Sequence, residues 1–525
     1  MGSRQSEESR SSVENPDTGE REMDYTEVLA YLMRSGQIRL VSSDPGWGLG
    51  EIDSDEDEDT NIECCPEADL NPDTRTINRS DLKQQMLFEA GMKHNDALPR
   101  ATSIHSMLQK RAAGDCYGGR FSRGDRSALT KSFLPNFKRT VARYSAKAFC
   151  GNYSKDGNVF LSGCQDQRLR VYDTTKGRFK KFKEIKALSV GWSILDTAFS
   201  PDGNYLIYSS WSSYIHLCNV HGEYQTHNTL DLEPVDRHFC PFSVQFSSNN
   251  KEILAGANDG FMYIYDLESN KRTLRIDAHE DDINSVRFAD DSSHILFSGG
   301  DDGMCKVWDR RMLSEQCEPV GVMAGHTDGI TCVDSKNDGR HLITNSKDQS
   351  IKLWDLRVFS PSNAVKNCRE AFAGQHWDYR WQQVPRRSKR KNLIKGDTSL
   401  LTYRGHGVLH TCIRCHFSPA FSTDQKYIYC GCATGGIIIY DVLTGKIVRK
   451  LSGHTACVRD VSWHPYENNI VSTSWDGCHN IWEYKSEGPM DWERDELDES
   501  SDESEDNDDI FHVVRRRRMN YQQLP

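Results

Sequence analysis

The chain has 525 residues, of which 37% are hydrophobic and 27% charged, and its formal net charge is −12. That length supports a large core, while the low hydropathy predicts disordered segments beside it, so one folded body with tails is expected. No apolar run approaches the roughly 20 residues of a membrane-spanning helix, no secretory apolar core follows the N-terminus, and the net acidity argues against nucleic acid as a partner.

In chain order, Met1-Gly2-Ser3-Arg4-Gln5-Ser6 fits the short pattern for myristoylation at Gly2, but a motif this short reads first as a plain disordered start. Tyr25, Val28, Leu29, Leu32 and Met33 recur at helical spacing, and 53–59 is an acidic run. Residues 1–79 therefore read as mostly disordered and acidic with one short helix. Segment 80–120 reads as helical. Its first candidate, 81–94, carries Leu82, Met86, Phe88 and Met92. The second has a hydroxyl cap at Thr102 or Ser103, Ile104, Met107 and Leu108 on one face, a polar or basic opposite side with Arg111, and a stop at Gly114. A lone helix this short is marginal in water, so its apolar stripe needs a surface, either the chain's own body or a partner's groove.

From 137 to 485 the pattern is a tandem repeat. Each unit ends its third strand in a related dipeptide: Tyr172-Asp173, Cys218-Asn219, Tyr265-Asp266, Trp308-Asp309, Trp354-Asp355, Tyr440-Asp441 and Trp482-Glu483. Intervals between the second residues are 46, 47, 43, 46, 86 and 42. The long interval is explained by an insertion, 358–399, read as lying between the fifth and sixth units and containing the basic run 386–391. His279, His326 and His454 precede their tryptophans by 29, 28 and 28 residues, which is the spacing of WD repeats. The spacing predicts three buried tetrads: His279, Ser298, Asp302 and Trp308; His326, Thr344, Asp348 and Trp354; His454, Ser472, Asp476 and Trp482. The expected fold is an all-β, seven-bladed WD40 β-propeller with a short helical N-terminal segment and disordered acidic tails. Its outermost last strand should come from 137–144, so that the ring has no open edge.

Beyond 486 the composition turns acidic and then basic: 491–509 holds twelve acidic residues, and Arg515 to Arg518 come after it. This tail is expected to be disordered, with Ser501 and Ser504 as candidate phosphorylation sites. Each basic cluster suits nuclear import, a phosphate patch or a solvated loop, and the expected location is nucleus and cytoplasm. There the 17 cysteines should be reduced thiols.

Ser298, His279 and Asp302 have the residue types of a nucleophilic triad, but three equivalent copies tied to tryptophans read as structure, so no enzyme and no cofactor are expected. Cys412, Cys415, His416, Cys430 and Cys432 cluster in the sixth unit. Alternation along a strand turns Cys412 and Cys415 to opposite faces, against a metal site.

Two adjacent units carry Trp-Asp-x-Arg, ending in Arg311 and Arg357, whose planar forks suit carboxylates and carbonyls of a partner. At these residues the chain resembles the WD-repeat substrate receptors of cullin-4 RING ubiquitin ligases: 296–311 and 342–357 look like their docking boxes, and 103–114 resembles the helix they insert into the adaptor, damaged-DNA-binding protein one. The resemblance implies a non-catalytic subunit bridging that adaptor, and through it cullin-4 and the RING subunit, to a protein substrate for ubiquitylation and degradation. It places Ile104, Met107, Leu108, Arg111, Arg311 and Arg357 against the adaptor. The alternative is a nuclear scaffold in chromatin or RNA processing that uses the same ring without ubiquitylation.

Overall fold

Short strands rich in β-branched and aromatic residues bury both faces when their sheets stack on neighbours. The protein does this around an axis. A computed structural model describes residues 66–89, 103–113, 121–222, 226–234, 238–313, 318–374, 377–385 and 394–486. Within them, strands form seven four-stranded antiparallel sheets, the blades of a propeller. Blades 1 to 6 span 148–186, 196–231, 241–277, 283–324, 330–404 and 415–452. The first strand of each blade, A, packs against the A strands of its neighbours, and B, C and D are added outward.

Blade 7 takes strands A to C from 458–483 and its D strand from Phe137–Arg143, which pairs antiparallel from Phe137 opposite Glu483 to Arg143 opposite Cys478. The seam is locked at its end, where the Asn136 amide donates to Glu483 O at 2.9 Å and the Lys485 amide donates to Asn136 Oδ1 at 2.8 Å.

The insertion sits elsewhere than expected. Strand Ser350–Asp355 pairs with Leu401–Arg404 in one sheet, so 358–399 lies inside blade 5, between strands C and D. Periodicity measures the distance between Trp-Asp ends and cannot say on which side of a D strand the extra residues fall.

Among the described residues six α-helices accompany the ring: α1 (Arg75–Arg79), α2 (Asp81–Glu89), α3 (Ile104–Ala112), α4 (Arg123–Ser132), α5 (Ser362–Ala373) within the insertion, and α6 (Ala420–Thr423). Ile77, Leu82 and Met86 are buried in a cluster with Ile343, Ile351, Tyr403, Ile428 and Tyr440 of blades 5 and 6. Residues 66–79, expected to be disordered, are thus the start of an ordered strap. The readings at Gly2, 24–34, 53–59, 386–391 and 491–525 lie outside the described residues.

All three tetrads close alike. Trp308 Nε1 donates to Ser298 Oγ at 2.9 Å, Ser298 donates to His279 Nε2 at 2.7 Å, and His279 Nδ1 donates to Asp302 at 2.9 Å. In blade 5, Trp354, Thr344, His326 and Asp348 repeat this at 2.8, 2.6 and 2.9 Å; in blade 7, Trp482, Ser472, His454 and Asp476 do so at 2.8, 2.7 and 2.9 Å. Burial acts to raise the Asp302 and Asp348 carboxyls, but their histidine partners hold both below the ordinary carboxylate range. Blades without the tetrad satisfy their polar groups differently. His406 Nδ1 meets Tyr440 Oη at 2.9 Å while its Nε2 meets Asn345 Oδ1 at 2.9 Å, and Ser162 meets His479 at 2.6 Å across the seam. All thirteen cysteines among the described residues are free, and all but Cys412 are buried.

This packing sets the consequences of truncation. Removing residues 1–119 should leave a closed ring of lower stability, because burial of Ile77, Leu82 and Met86 is lost at about 2–5 kcal/mol for each large side chain; removing 1–146 should abolish protease resistance altogether. Comparing thermal melts and limited proteolysis of the two truncations with the intact chain checks this.

It also sets a response to pH. Burial lowers His216 and His406 to about 4, and His479 to about 3, from an ordinary 6.5. A folded pKa below the unfolded one means stability present above pH 6.5 and lost as pH falls toward 4, at about 2 kcal/mol per histidine by pH 5. His216 is fully buried with neither ring nitrogen hydrogen-bonded. His216→Phe should therefore narrow the gap between melting temperatures measured at pH 7.5 and pH 5.

Candidate functional site: two faces of the ring

Because neighbouring strands are antiparallel, the A–B and C–D connections share one face, called lower here, and the B–C and D–A connections share the other. On the lower face, Asp309 ends strand C of blade 4 and caps the short turn Arg310–Met312. Its carboxylate accepts from the Arg311 amide at 3.0 Å and from the guanidinium at 2.9 and 2.6 Å; the side-chain bond to Arg311 leads in holding Asp309 down at about 2. Arg311 remains 62% exposed. Blade 5 repeats the turn, with the Arg357 amide donating to Asp355 at 3.0 Å. Here the guanidinium is shared, 3.2 Å from Asp355 and 2.9 Å from Asp81 at the start of α2, and Arg340 grips Asp355 at 2.8 Å. Arg357 is 55% exposed.

Residues with no signature in the repeat pattern complete this rim. Arg310 forks onto Glu252 of blade 3, with one contact at 2.6 Å, and fixes the turn that carries Arg311. Lys251, Glu252, His294, Arg310 and Arg311 line an open cleft of about 520 Å³. Met312, Val320, Val358 and Phe359 are exposed on the loops adjoining the two arginines. The Phe359 ring lies where a side chain on Gly321 would be, 2.3 Å from an ideal Cβ, so the glycine makes room for it. No single residue type announces such a strip, since exposed apolar residues are common singly.

Helix α3 has its cap as expected: Ser103 Oγ accepts from the Ser106 amide at 3.2 Å. Ile104 and Leu108, one turn apart, are 40% and 48% exposed, whereas Met107 is only 5% exposed. The structure thus separates the three apolar residues expected on one face: Met107 anchors the helix on its own chain, and Ile104 and Leu108 stay available. The Arg111 guanidinium lies 5.0 Å from the centre of the Phe121 ring. Phe121 leads into α4, whose capping box joins Ser122 and Asp125. That helix seats on the A–B connection of blade 6, where Thr130 donates to Ser422 O at 2.7 Å and Arg126 covers Phe421 at 4.1 Å. Arg311, Arg357 and the helical segment therefore gather on the lower face.

The insertion reaches the upper face. Trp377 Nε1 donates to Asp328 at 2.9 Å, and Lys347 Nζ pairs with Asp301 at 2.8 Å while lying 4.3 Å from the centre of the Tyr379 ring. Trp377-Asp378-Tyr379-Arg380 is a third Trp-Asp-x-Arg, with Arg380 on Asp378 at 2.9 and 2.7 Å. Its tetrapeptide was legible, but it lies outside the repeat period. Burial, reinforced by Asp301 and Asp281, raises Asp282 to about 7; burial against the pull of Lys347 leaves Asp328 at about 6. Two carboxyls of the upper face are thus held well above the ordinary carboxylate range by burial.

The cysteines of blade 6 diverge. Cys412 lies 3.6 Å from Tyr379 Oη, Cys332 Sγ is 3.5 Å from Cys415 O, and Cys432 Sγ accepts from the Gly407 amide at 3.2 Å. His416 stands between Asp334 and Asp460 at 3.7 and 3.8 Å; against burial, these carboxylates raise it to about 10. Among the described residues no group of three or more His, Cys, Asp or Glu is placed to hold a metal. Ser298, Thr344 and Ser472 are fully buried, and each accepts from its tryptophan while engaging its histidine, so these hydroxyls serve blade cohesion.

Comparison with known proteins agrees with this architecture. The model of the WD domain, G-beta repeat family matches residues 142–173, 270–309, 317–355 and 445–483. The chain is 42% identical to a DDB1- and CUL4-associated factor 11 homolog of Caenorhabditis elegans, over 74% of this chain and 70% of that protein. It is 41% identical to the factor 11 homolog of Caenorhabditis briggsae, over 68% and 67% of the two chains, and 42% identical to the LEC14B protein of Lithospermum erythrorhizon, over 73% and 82%. At this identity and coverage, the chain belongs to the family of WD-repeat proteins that contains the DDB1- and CUL4-associated factor 11 homologues.

Proposed function

We propose that the protein is a non-catalytic substrate-recognition subunit of a cullin-4 RING ubiquitin ligase, bridging the adaptor damaged-DNA-binding protein one to protein substrates for ubiquitylation and degradation. The observation that carries this reading is the convergence on one face of two Asp-locked arginines, Arg311 and Arg357, with a helix whose Ile104 and Leu108 lack cover. The names of its relatives support the same assignment. Arginine forks already set by their own aspartates lose little freedom when they meet a partner's carbonyls or carboxylates. An apolar pair one helical turn apart suits insertion into a groove. With the adaptor on the lower face, the upper mouth framed by Trp377, Lys347 and Asp282 is left for substrate. A receptor of this kind contributes by proximity, holding a substrate lysine near a charged conjugating enzyme elsewhere in the assembly. The protein then works in nucleus and cytoplasm, wherever that ligase meets its substrates.

Co-purification of the adaptor with the intact chain, with Ile104→Asp plus Leu108→Asp, and with Arg311→Ala plus Arg357→Ala tests the reading. The aspartates should remove nearly all adaptor, since a charge buried against an apolar groove costs several kcal/mol. The arginine pair should weaken binding about tenfold or more, with the melting temperature of each variant unchanged. If the intact chain recovers neither adaptor nor cullin-4, the ring is a scaffold of another kind.

A further inference from the structure

The outer edge of blade 1 is strongly basic in a chain of net charge −12. Between Thr174 and Lys186, the last turn and D strand of that blade, six basic residues stand against one acid, Glu184. Glu184 is already taken: Lys181 at 2.8 Å and Arg168 hold its carboxyl down at about 2. Lys176, Arg178, Lys180 and Lys186 are exposed, and among them Phe182, 43% exposed, stacks on His221 with ring planes 7° apart.

The chain leaves the ring beside this surface. Glu483 ends the last strand, and Arg139 spans the seam, its Nη2 lying 3.4 Å from Glu483 Oε1 and 3.3 Å from Gly177 O in the basic turn. Lys485 is tied to Asn136 at 2.8 Å, so the C-terminal segment starts from this point. The acidic stretch begins at Asp491, six residues on, a reach of up to about 20 Å for extended chain. Residues 491–509 hold twelve acids against Arg494, and Trp492 stands among the first of them.

We propose that the acidic segment 491–509 docks on the basic edge of blade 1, an intramolecular clasp that occupies the surface otherwise open to polyanions. Tethering supplies the association: a linker of a few residues gives an effective concentration in the millimolar range, so weak, screened ion pairs suffice. The contact is solvent-exposed and therefore salt-sensitive, since at physiological ionic strength exposed charges separated by more than about 8 Å are largely screened. It needs no contact with the lower face and stands whether or not the adaptor binds there.

Zero-length carbodiimide coupling of the full chain, mapped by mass spectrometry, tests the clasp. Tail carboxylates should couple to Lys176, Lys180, Lys181 and Lys186 about tenfold more than to exposed lysines on other blades such as Lys271 and Lys450, and the preference should vanish at about 500 mM salt. Arg178→Glu with Lys180→Glu, both exposed and remote from the core, should cut coupling at Lys176 and Lys186 while leaving the melting temperature unchanged. Changing the twelve acids of 491–509 to Asn or Gln should raise the affinity of the full chain for polyuridine about tenfold. Coupling spread evenly over surface lysines, coupling that grows with protein concentration, or polyuridine binding equally tight with and without the tail acids would each overturn the proposal.

Discussion

An open ring of blades ends in two sheet edges, each a row of unpaired N–H and C=O groups that neighbouring chains can extend. Here Phe137–Arg143 pairs onto Cys478–Glu483 and covers the edge of that strand, so the first strand of the ring and the last are one sheet and blade 7 has four strands like the others. That contact joins residues more than 300 positions apart, and its loop-closure cost is met once, by an antiparallel ladder with one register shift between Thr140 and Ala142, reinforced through Asn136 and Lys485. The other blades can then be built locally from consecutive strands, with the insertion of blade 5 as a long connection between its strands C and D. The same seam decides where both tails leave the ring, and so what surfaces they can reach.

Within the closed ring the constraint is polar satisfaction. Indole N–H, hydroxyl, imidazole and carboxylate groups are buried in blades 4, 5 and 7, and each is tolerated because the next member bonds it. Around the axis, Arg414 of blade 6 reaches Asp196 of blade 2 at 2.6 Å and Asp460 of blade 7 at 3.2 Å, and Arg459 of blade 7 donates to Phe149 O at 2.7 Å and Leu195 O at 2.8 Å. Two of these contacts, Arg414 to Asp196 and Arg459 to Leu195 O, tie non-adjacent blades, which stiffens the ring beyond what neighbour stacking provides. In blade 2, buried His216 has no such partner on either ring nitrogen, and burial holds it well below the ordinary imidazole range.

A rigid ring with two unlike faces suits a part that holds other proteins at fixed separation. The lower face carries preset arginine forks, a strip of exposed apolar side chains and the helical segment; the upper carries aspartates with raised pKa values and the aromatic tip of the insertion. The insertion links them: it leaves strand C of blade 5 at the lower rim, climbs through α5, whose Cys368 and Ala364 are buried, and lays Trp377 and Tyr379 over the mouth. Such a path offers a physical route between the faces.

The sequence by itself determined the number of blades, the tetrads and the closing strand, because each rests on local periodicity: a fixed spacing of His, Ser or Thr, Asp and Trp fits one place in a four-stranded blade. It also narrowed the cap of α3 to Thr102 or Ser103, and the structure shows Ser103 accepting from the amide three residues on. Tertiary structure alone decided the rest. Strand order put the insertion inside blade 5. Long-range packing turned 66–89 into a strap and buried Met107 while leaving Ile104 and Leu108 exposed, a choice that helical periodicity cannot make when all three residues are apolar. The same packing brought Asp81 to Arg357, Arg310 to Glu252 and Lys347 to Asp301. Charge partners distant in sequence carry no period, so only the folded ring reveals them.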